Sequence, residues 1–195
     1  MGMNENTSEL SADLIIHAAN QASGSHRAPA LSAAQWAALR FFARANDFSR
    51  TPSAFASFHG TTRGTASQTV KSLVRKGYLR RERSTADGRR KELNLTAEGE
   101  RALAEDPAEA LVRAIDMLPP AKRRVLEDVM RHITAHVDTQ CGEPTFGVCA
   151  DCGYRDDGGS HGVTCRVTGE QVGQRGAKQL CYAFKPTGTV PETQS

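Results

Sequence analysis

Four cysteines near the end of the chain have the spacing of a metal-ligand set. Cys149, Cys152, Cys165 and Cys181 follow the pattern C-x2-C-x12-C-x15-C, and no cysteine precedes Cys141. Four thiolates complete a tetrahedral coordination shell. Two cysteines on one turn can bind one side of a metal centre, and the two later ones can close the other side. The pattern therefore predicts a metal site, with Cys141 left over as a fifth thiol.

The number of ligands does not choose between zinc and an iron-sulfur cluster, because both accept four thiolates. Zinc ribbons and fingers usually present two closely spaced pairs, whereas here one pair is followed by two isolated cysteines. This spacing resembles that of high-potential iron-sulfur proteins and of small cluster-bearing subunits found with some glycyl-radical enzymes. We expect an iron-sulfur cluster of the 4Fe-4S type, with structural zinc as the alternative and bare redox thiols or disulfides as a third option.

The overall composition excludes several classes of protein. The chain has 195 residues, of which 38% are hydrophobic and 24% charged, as in soluble globular proteins. Neither a signal peptide nor a run of about 18 apolar residues is present, so we expect a cytoplasmic protein without a membrane span. No glycine-rich phosphate loop or nucleophile-base signature occurs, so an enzyme or electron carrier ranks below a binding function.

Positive charge is concentrated in one segment of the chain. Residues 61–91 contain ten Lys or Arg and two acidic residues, a local charge of +8, although the net charge of the whole chain is only +3. A patch of this kind is typical of a surface that contacts phosphates. The alternative is a basic face that is merely solvated.

Capping residues and apolar periodicity predict helices before and within this segment. The predicted helices are residues 9–22, Ser32 to about Asn46 with a Ser32/Gln35 capping box, Thr51–Pro52 to His59–Gly60, and Thr61 or Thr62 to Lys76. In the last of these, Ala66, Val70, Leu73 and Val74 form an apolar stripe. A short helix, a tight turn and a second helix predict a helix-turn-helix.

The opposite face of that last helix is polar and cationic, as expected of a helix that enters the DNA major groove. Gln68 suits an adenine edge, whereas Lys71 and Arg75 suit guanine or phosphate. The candidate DNA contacts on this helix are Arg63, Gly64, Thr65, Gln68, Lys71, Ser72 and Arg75.

A β-hairpin is predicted directly after this helix. Strand-like "YLRRER" and "KELNL" are joined by "STADGRR", whose Asp87-Gly pair is a strong hairpin signal. The hairpin forms a wing, with Arg89 and Arg90 at its tip. Arginine is favoured in the negative potential of a narrow minor groove. Further helices begin near Thr96, near Pro107 and after residues 119–120, with more apolar face than one small domain needs.

The segment "GTASQTVKSLVRKGYLRRERSTADGRRKELNLTAEG" resembles the recognition helix and wing of the MarR family of winged helix-turn-helix transcriptional regulators. The matching wing residues are Asp87, Arg89, Leu93, Leu95, Thr96 and Gly99. This resemblance implies that Arg89 enters the minor groove and that Asp87 holds its side chain. It also implies a homodimer built from the terminal helices and a pseudo-palindromic operator in double-stranded DNA.

The same resemblance allows a small phenolic or aromatic ligand between the dimerisation helices and the winged domain. Trp36, Phe41 and Phe42 are candidate pocket residues, although aromatic residues at this spacing more often form the core. The sequence does not identify a particular small-molecule ligand.

We therefore expect a mainly α-helical fold with a small β-wing, a dimeric helical platform and a small irregular C-terminal module held together by metal. The expected divisions are a winged helix-turn-helix and dimerisation domain at 8–138, a cysteine-rich module at 141–186 and a disordered tail at 187–195. The expected function is a repressor whose cluster senses redox state, oxygen, nitric oxide or iron supply. The alternative is a regulator with a structural zinc tail and a small-molecule effector.

Overall fold

The fold is described from a computed structural model of the chain. It covers residues 5–24, 31–83, 91–157, 163–169, 171–172 and 174–187. The expectations for Asp87, Arg89 and Arg90 at the wing tip, and for residues 188–195, lie outside these described residues.

The architecture is mainly helical with short antiparallel strands, as the sequence predicts. The elements are α1 (Glu5–Ala22), α2 (Ala33–Arg44), α3 (Pro52–Phe58), α4 (Arg63–Arg75), β1 (Leu79–Arg83), β2 (Lys91–Leu95), α5 (Ala97–Ala104), α6 (Glu109–Asp116), α7 (Pro120–Cys141), β3 (Gly147–Val148), a 3-10 turn (Cys149–Asp151), β4 (Arg155–Asp156), β5 (Thr164–Cys165), α8 (Gln174–Ala177) and β6 (Leu180–Cys181). Strand β1 pairs with β2, β3 with β6 and β4 with β5.

Side-chain caps start the helices at the predicted residues. The Ser32 side chain accepts from the Gln35 backbone N–H, and the Gln35 side chain accepts from the Ser32 N–H, which completes the capping box. Thr51, Thr62 and Thr96 cap α3, α4 and α5 through their hydroxyl oxygens. The local sequence therefore determines where these helices begin.

Helix α6 begins later than predicted, at Glu109 rather than at Pro107. The reason is the role of Asp106, whose carboxylate binds the guanidinium of Arg40 at 2.5 Å. The same carboxylate accepts a hydrogen bond from the Ala108 N–H at 2.8 Å. Asp106 therefore holds a turn between α5 and α6 and ties it to α2.

Helix α7 extends past the predicted domain boundary at residue 138 and continues to Cys141. Gly142 ends it with a left-handed backbone (φ 67°), a conformation that suits glycine. The segment that follows, residues 142–187, is called the tail below. Its last described residue, Thr187, donates a hydrogen bond to the Asp151 carbonyl at 3.3 Å.

The core lies between α2, α3 and α4 and is rich in phenylalanine. Phe41 is 1% exposed, and its ring centroid lies 5.3 Å from that of Phe42 and 5.7 Å from that of Phe55. Trp36 and Phe42 belong to the same buried cluster. The three aromatic residues considered as pocket candidates are thus part of the core, as the alternative interpretation held.

A close contact fixes the joint between α4, the wing and α5. The Thr96 hydroxyl donates to the Gly77 carbonyl at 2.5 Å, and the Thr96 N–H donates to the Tyr78 carbonyl at 3.1 Å. A Cβ atom at Gly99 would lie 2.3 Å from that Tyr78 carbonyl oxygen. The Thr-x-x-Gly pattern is therefore required by backbone packing at this joint.

In the part of the chain that the structure describes, no helix combines the length and apolar character needed to cross a bilayer.

Candidate nucleic-acid interface and cysteine site

Helix α4 is held with one face in the core and the other in solvent. Ala66, Val70 and Leu73 are fully buried against α2 and α3. The Thr62 hydroxyl accepts from the Thr65 N–H at 3.1 Å and starts the helix, and Gly77 (φ 82°) follows its end. The buried stripe thus determines which side chains face outward.

The outward face of α4 contains all but one of the DNA contacts that were predicted on this helix. These exposed residues are Arg63, Gly64, Thr65, Gln68, Lys71 and Arg75. No ion pair of Arg63, Lys71 or Arg75 occurs within the described residues, so these cations are available to an external anion. The face is cationic and polar, and an α-helix is an element that a groove about 12 Å wide admits.

Ser72 has a different role from its neighbours on α4. It is half-buried, and its hydroxyl accepts a hydrogen bond from the Gln35 side-chain amide at 3.0 Å. The Lys76 ammonium donates to the side-chain oxygen of Gln35 (Oε1) at 3.2 Å. Ser72 therefore helps to hold α4 against the start of α2.

The wing extends beside α4 as a paired hairpin. Five residue pairs join β1 and β2, from Leu79 opposite Leu95 to Arg83 opposite Lys91. Leu79 is buried, whereas the other β1 side chains are exposed. Arg81 and Arg83 therefore extend the cationic surface from α4 along the wing, although the sequence-based selection of contacts did not include them.

The tail packs on the loop between α2 and α3, which is called the corner below (residues 45–51). The Asn46 N–H donates to the Leu180 carbonyl at 2.8 Å, and the Tyr182 N–H donates to the Ser49 hydroxyl at 2.9 Å. Phe146 adds an apolar contact, with its ring centroid 5.0 Å from that of Phe58. The tail is thus docked on the start of the helix-turn-helix.

Two cysteines meet where the tail contacts the corner. Cys149 and Cys181, called the sulfur pair below, interact directly through their thiols. The Asn46 side-chain amide donates to the Cys149 sulfur at 3.7 Å. Cys181 is buried and Cys149 is half-buried, so the pair lies at the interface between tail and corner.

The contact between the two thiols shifts their pKa values in opposite directions. The hydrogen bond from Cys149 lowers the pKa of Cys181 to about 6, and the Asn46 side chain contributes in the same direction. The same hydrogen bond, together with burial, raises the pKa of Cys149. The geometry therefore favours a thiolate at Cys181 that accepts a hydrogen bond from a Cys149 thiol.

In the described part of the chain, the other three cysteines are not in direct contact with the sulfur pair. A thiolate at Cys152, which is buried, would add to the raised pKa of Cys149. Cys165 lies on β5 opposite Arg155, and Cys141 is exposed at the end of α7. Within the described ranges, no group of three or more His, Cys, Asp or Glu side chains is arranged to hold a metal ion. Of the four predicted ligands, the structure brings only Cys149 and Cys181 into direct contact.

The sequence pattern gave no indication of the contribution of Asn46 and Ser49. Asn46 is 4% exposed and Ser49 is fully buried, which is unusual for polar loop residues. Their partners on the tail are more than 100 residues away in sequence, so a local pattern cannot identify them.

A helix, a tight turn, a second helix with an exposed cationic face and a following hairpin define a winged helix-turn-helix domain. Residues 31–90 match the model of the MarR family. This match spans the helix-turn-helix and the first strand of the wing. A comparison with curated proteins found no match.

Solved structures resemble the chain over the helices and the wing but leave a large part of the chain uncovered. A MarR/EmrR family transcriptional regulator from Acinetobacter sp. ADP1 is 19% identical with a TM-score of 0.52, covering 69% of this chain and 95% of its own. A MarR family protein from Bacillus stearothermophilus is 21% identical with a TM-score of 0.50, covering 70% of this chain and 99% of its own. The chain therefore has the winged-helix fold of MarR proteins.

Proposed function

We propose that this protein is a sequence-specific, DNA-binding transcriptional regulator that acts as a homodimer and represses transcription. The observation that carries the proposal is the exposed cationic face of α4 beside an arginine-rich wing. The match to the MarR family model and the winged-helix fold support it. It assigns the protein a binding role rather than catalysis.

On DNA, α4 would lie in the major groove and the wing would reach the minor groove. Gln68 can form two hydrogen bonds with an adenine edge, while Lys71 and Arg75 neutralise phosphates or contact guanine. By family resemblance, Arg89 would enter the minor groove and Asp87 would orient it. Gly64 and Thr65 are small enough to let the helix backbone approach the groove closely.

Exposed apolar residues support the proposed homodimer. Helix α1 exposes Leu10 and Leu14, with 56% and 59% of their surface accessible. Helix α7 exposes an apolar stripe, Val125, Val129, Ile133 and Val137, at helical spacing. Apolar surface of this extent usually marks an interface. Pairing α1 and α7 with a second copy would bury it and place two α4 helices on half-sites about 34 Å apart.

The tail is proposed to bind an iron-sulfur cluster through Cys149, Cys152, Cys165 and Cys181. The chemistry of the donors suits this, since metal ligation needs thiolates and the pKa of Cys181 is lowered to about 6. Two of the four sulfurs are already in contact, and those of Cys152 and Cys165 would have to join them. When bound, such a cluster supplies an oxidation state and an occupancy that vary with redox conditions and iron supply.

The experiment that tests both parts of the proposal begins with protein purified without oxygen. Iron, sulfide and zinc are quantified, and affinity for duplex DNA is measured before and after metal removal. We expect iron and sulfide, lost in Cys149→Ser but retained in the matched control Cys141→Ser, and at least a tenfold change in DNA affinity. Zinc without iron would make the tail a structural zinc module, and equal affinity of the two forms would contradict sensing by the metal.

A further inference from the structure

The corner makes contacts with the wing and with the first helix of the helix-turn-helix. Arg50 donates to the Asn94 side-chain oxygen on β2 at 2.7 Å, and its carbonyl accepts from the Leu93 N–H at 3.0 Å. The next residue, Thr51, caps α3 by accepting from the Ala54 N–H at 3.2 Å. A displacement of the corner would therefore move the wing strand and the first helix of the helix-turn-helix together.

Asn46 connects the corner to the sulfur pair through the two ends of its side chain. Its amide nitrogen donates to the Cys149 sulfur. Its carbonyl oxygen accepts from the Ser49 hydroxyl at 2.6 Å and from the Ser49 N–H at 3.0 Å. Because both residues are buried, loss of any of these bonds leaves a polar group unsatisfied.

The other side of the tail is attached to α7. The chain leaves α7 at Gly142 and returns to its side at the 3-10 turn, where Asp151 binds Arg131 of α7 at 2.8 Å. Cys149 lies on that same 3-10 turn. Cys181 lies on β6, and the residues on either side of it, Leu180 and Tyr182, form hydrogen bonds with the corner. Next to the β3–β6 pairing, in which Gly147 lies opposite Cys181, the sulfur pair therefore joins the part of the tail held by α7 to the part held by the corner.

We infer that the tail is a brace between α7 and the corner, closed by the sulfur pair, with Asn46 as the positioning residue that transmits the state of the sulfurs to the helix-turn-helix. A change at Cys149 alters the hydrogen bond that the Asn46 amide donates to the Cys149 sulfur. It thereby alters the hydrogen bonds between Asn46 and Ser49 and, through the bonds of Arg50 to β2, the position of the wing. The effect on DNA binding rests on the proposed function, whereas the mechanical coupling does not.

The test measures amide hydrogen exchange in the full-length, reduced, metal-free protein. The readouts are the Asn46, Leu93 and Tyr182 amides, whose hydrogen bonds cross the joints of the brace. In Cys149→Ala we expect at least about fivefold faster exchange at these amides. In the matched control Cys141→Ala, which removes an exposed thiol outside the proposed ligand set, we expect wild-type exchange. Unchanged exchange in Cys149→Ala would overturn the brace.

Asn46→Asp distinguishes the loss of the connection between Asn46 and Cys149 from a general destabilisation of the fold. It retains an oxygen for the Ser49 bonds but removes the donor to the Cys149 sulfur. We expect it to accelerate exchange at the corner as Cys149→Ala does, and the double variant to show no further increase, because both changes break one connection. Additive effects of the two changes would overturn the role of Asn46.

Measuring the affinity of the same proteins for duplex DNA distinguishes the mechanical coupling from its effect on DNA binding. We expect Cys149→Ala and Asn46→Asp to bind at least about fivefold more weakly than Cys141→Ala. Faster exchange with unchanged affinity would overturn the transmission to DNA. If the wild type binds no DNA either metal-free or as purified without oxygen, the proposed function fails, while the exchange data still decide whether the tail is a brace.

Discussion

Reversing the charges of Lys71 and Arg75 together should weaken binding to duplex DNA by at least about 100-fold at physiological salt. Both side chains are exposed on α4, and neither has an ion pair within the described residues, so the change should leave the fold intact. Each lost phosphate contact removes about one released counterion per protomer. In fluorescence anisotropy across a salt series, the slope of log affinity against log salt should fall by about two per protomer.

Arg113→Glu is the matched control for this change. Arg113 is an exposed cation on α6, opposite Leu111 and Ile115 on the helical wheel and far in sequence from α4. We expect it to reduce affinity only slightly through the change in net charge. Equal affinity of the wild type and the Lys71→Glu/Arg75→Glu variant would contradict the placement of α4 on DNA.

Gly99→Ala should destabilise the protein by about 3 kcal/mol, near the upper end of the usual cost of overpacking. The added Cβ would lie 2.3 Å from the Tyr78 carbonyl oxygen, which is backbone and cannot rotate away. To relieve the contact, the start of α5 must separate from the end of α4, and the bonds of Thr96 at this joint must lengthen. Urea denaturation measures the loss as a lower midpoint.

Gly64→Ala tests whether any alanine in place of a helical glycine would have this effect. At Gly64 the nearest atom to a new Cβ is the Thr62 hydroxyl oxygen at 3.8 Å, an ordinary contact. Since alanine is the better helix former by about 1 kcal/mol, stability should be unchanged or slightly higher. Similar urea midpoints for Gly99→Ala and the wild type would contradict the close packing of Gly99 against the Tyr78 carbonyl.

Helix α4 could be predicted from sequence because its signals are local. Thr62 and Gly77 mark the ends of α4, and the apolar period of Ala66, Val70 and Leu73 determines its buried face. Ser72 is the exception on that helix, because its position next to Gln35 of α2 depends on tertiary packing. A helical wheel places it only at the edge of the exposed face.

The docking of the tail could not be predicted, because it depends on contacts between residues distant in sequence. The sequence "NDFS" at Asn46 to Ser49 has the composition of an ordinary turn. Its burial arises only when β6 and the 3-10 turn cover it. Likewise, cysteine spacing suggests a common metal site but does not reveal that Cys149 and Cys181 are the two that meet at the corner.

The most direct test of the central claim is selection of bound sequences from a random duplex DNA library with the purified full-length protein. We expect enrichment of a pseudo-palindromic site whose half-sites are separated by about one helical turn, roughly 34 Å. The Lys71→Glu/Arg75→Glu variant should enrich none. If neither the wild-type protein nor the Arg113→Glu control enriches any sequence, a sequence-specific DNA-binding function is contradicted.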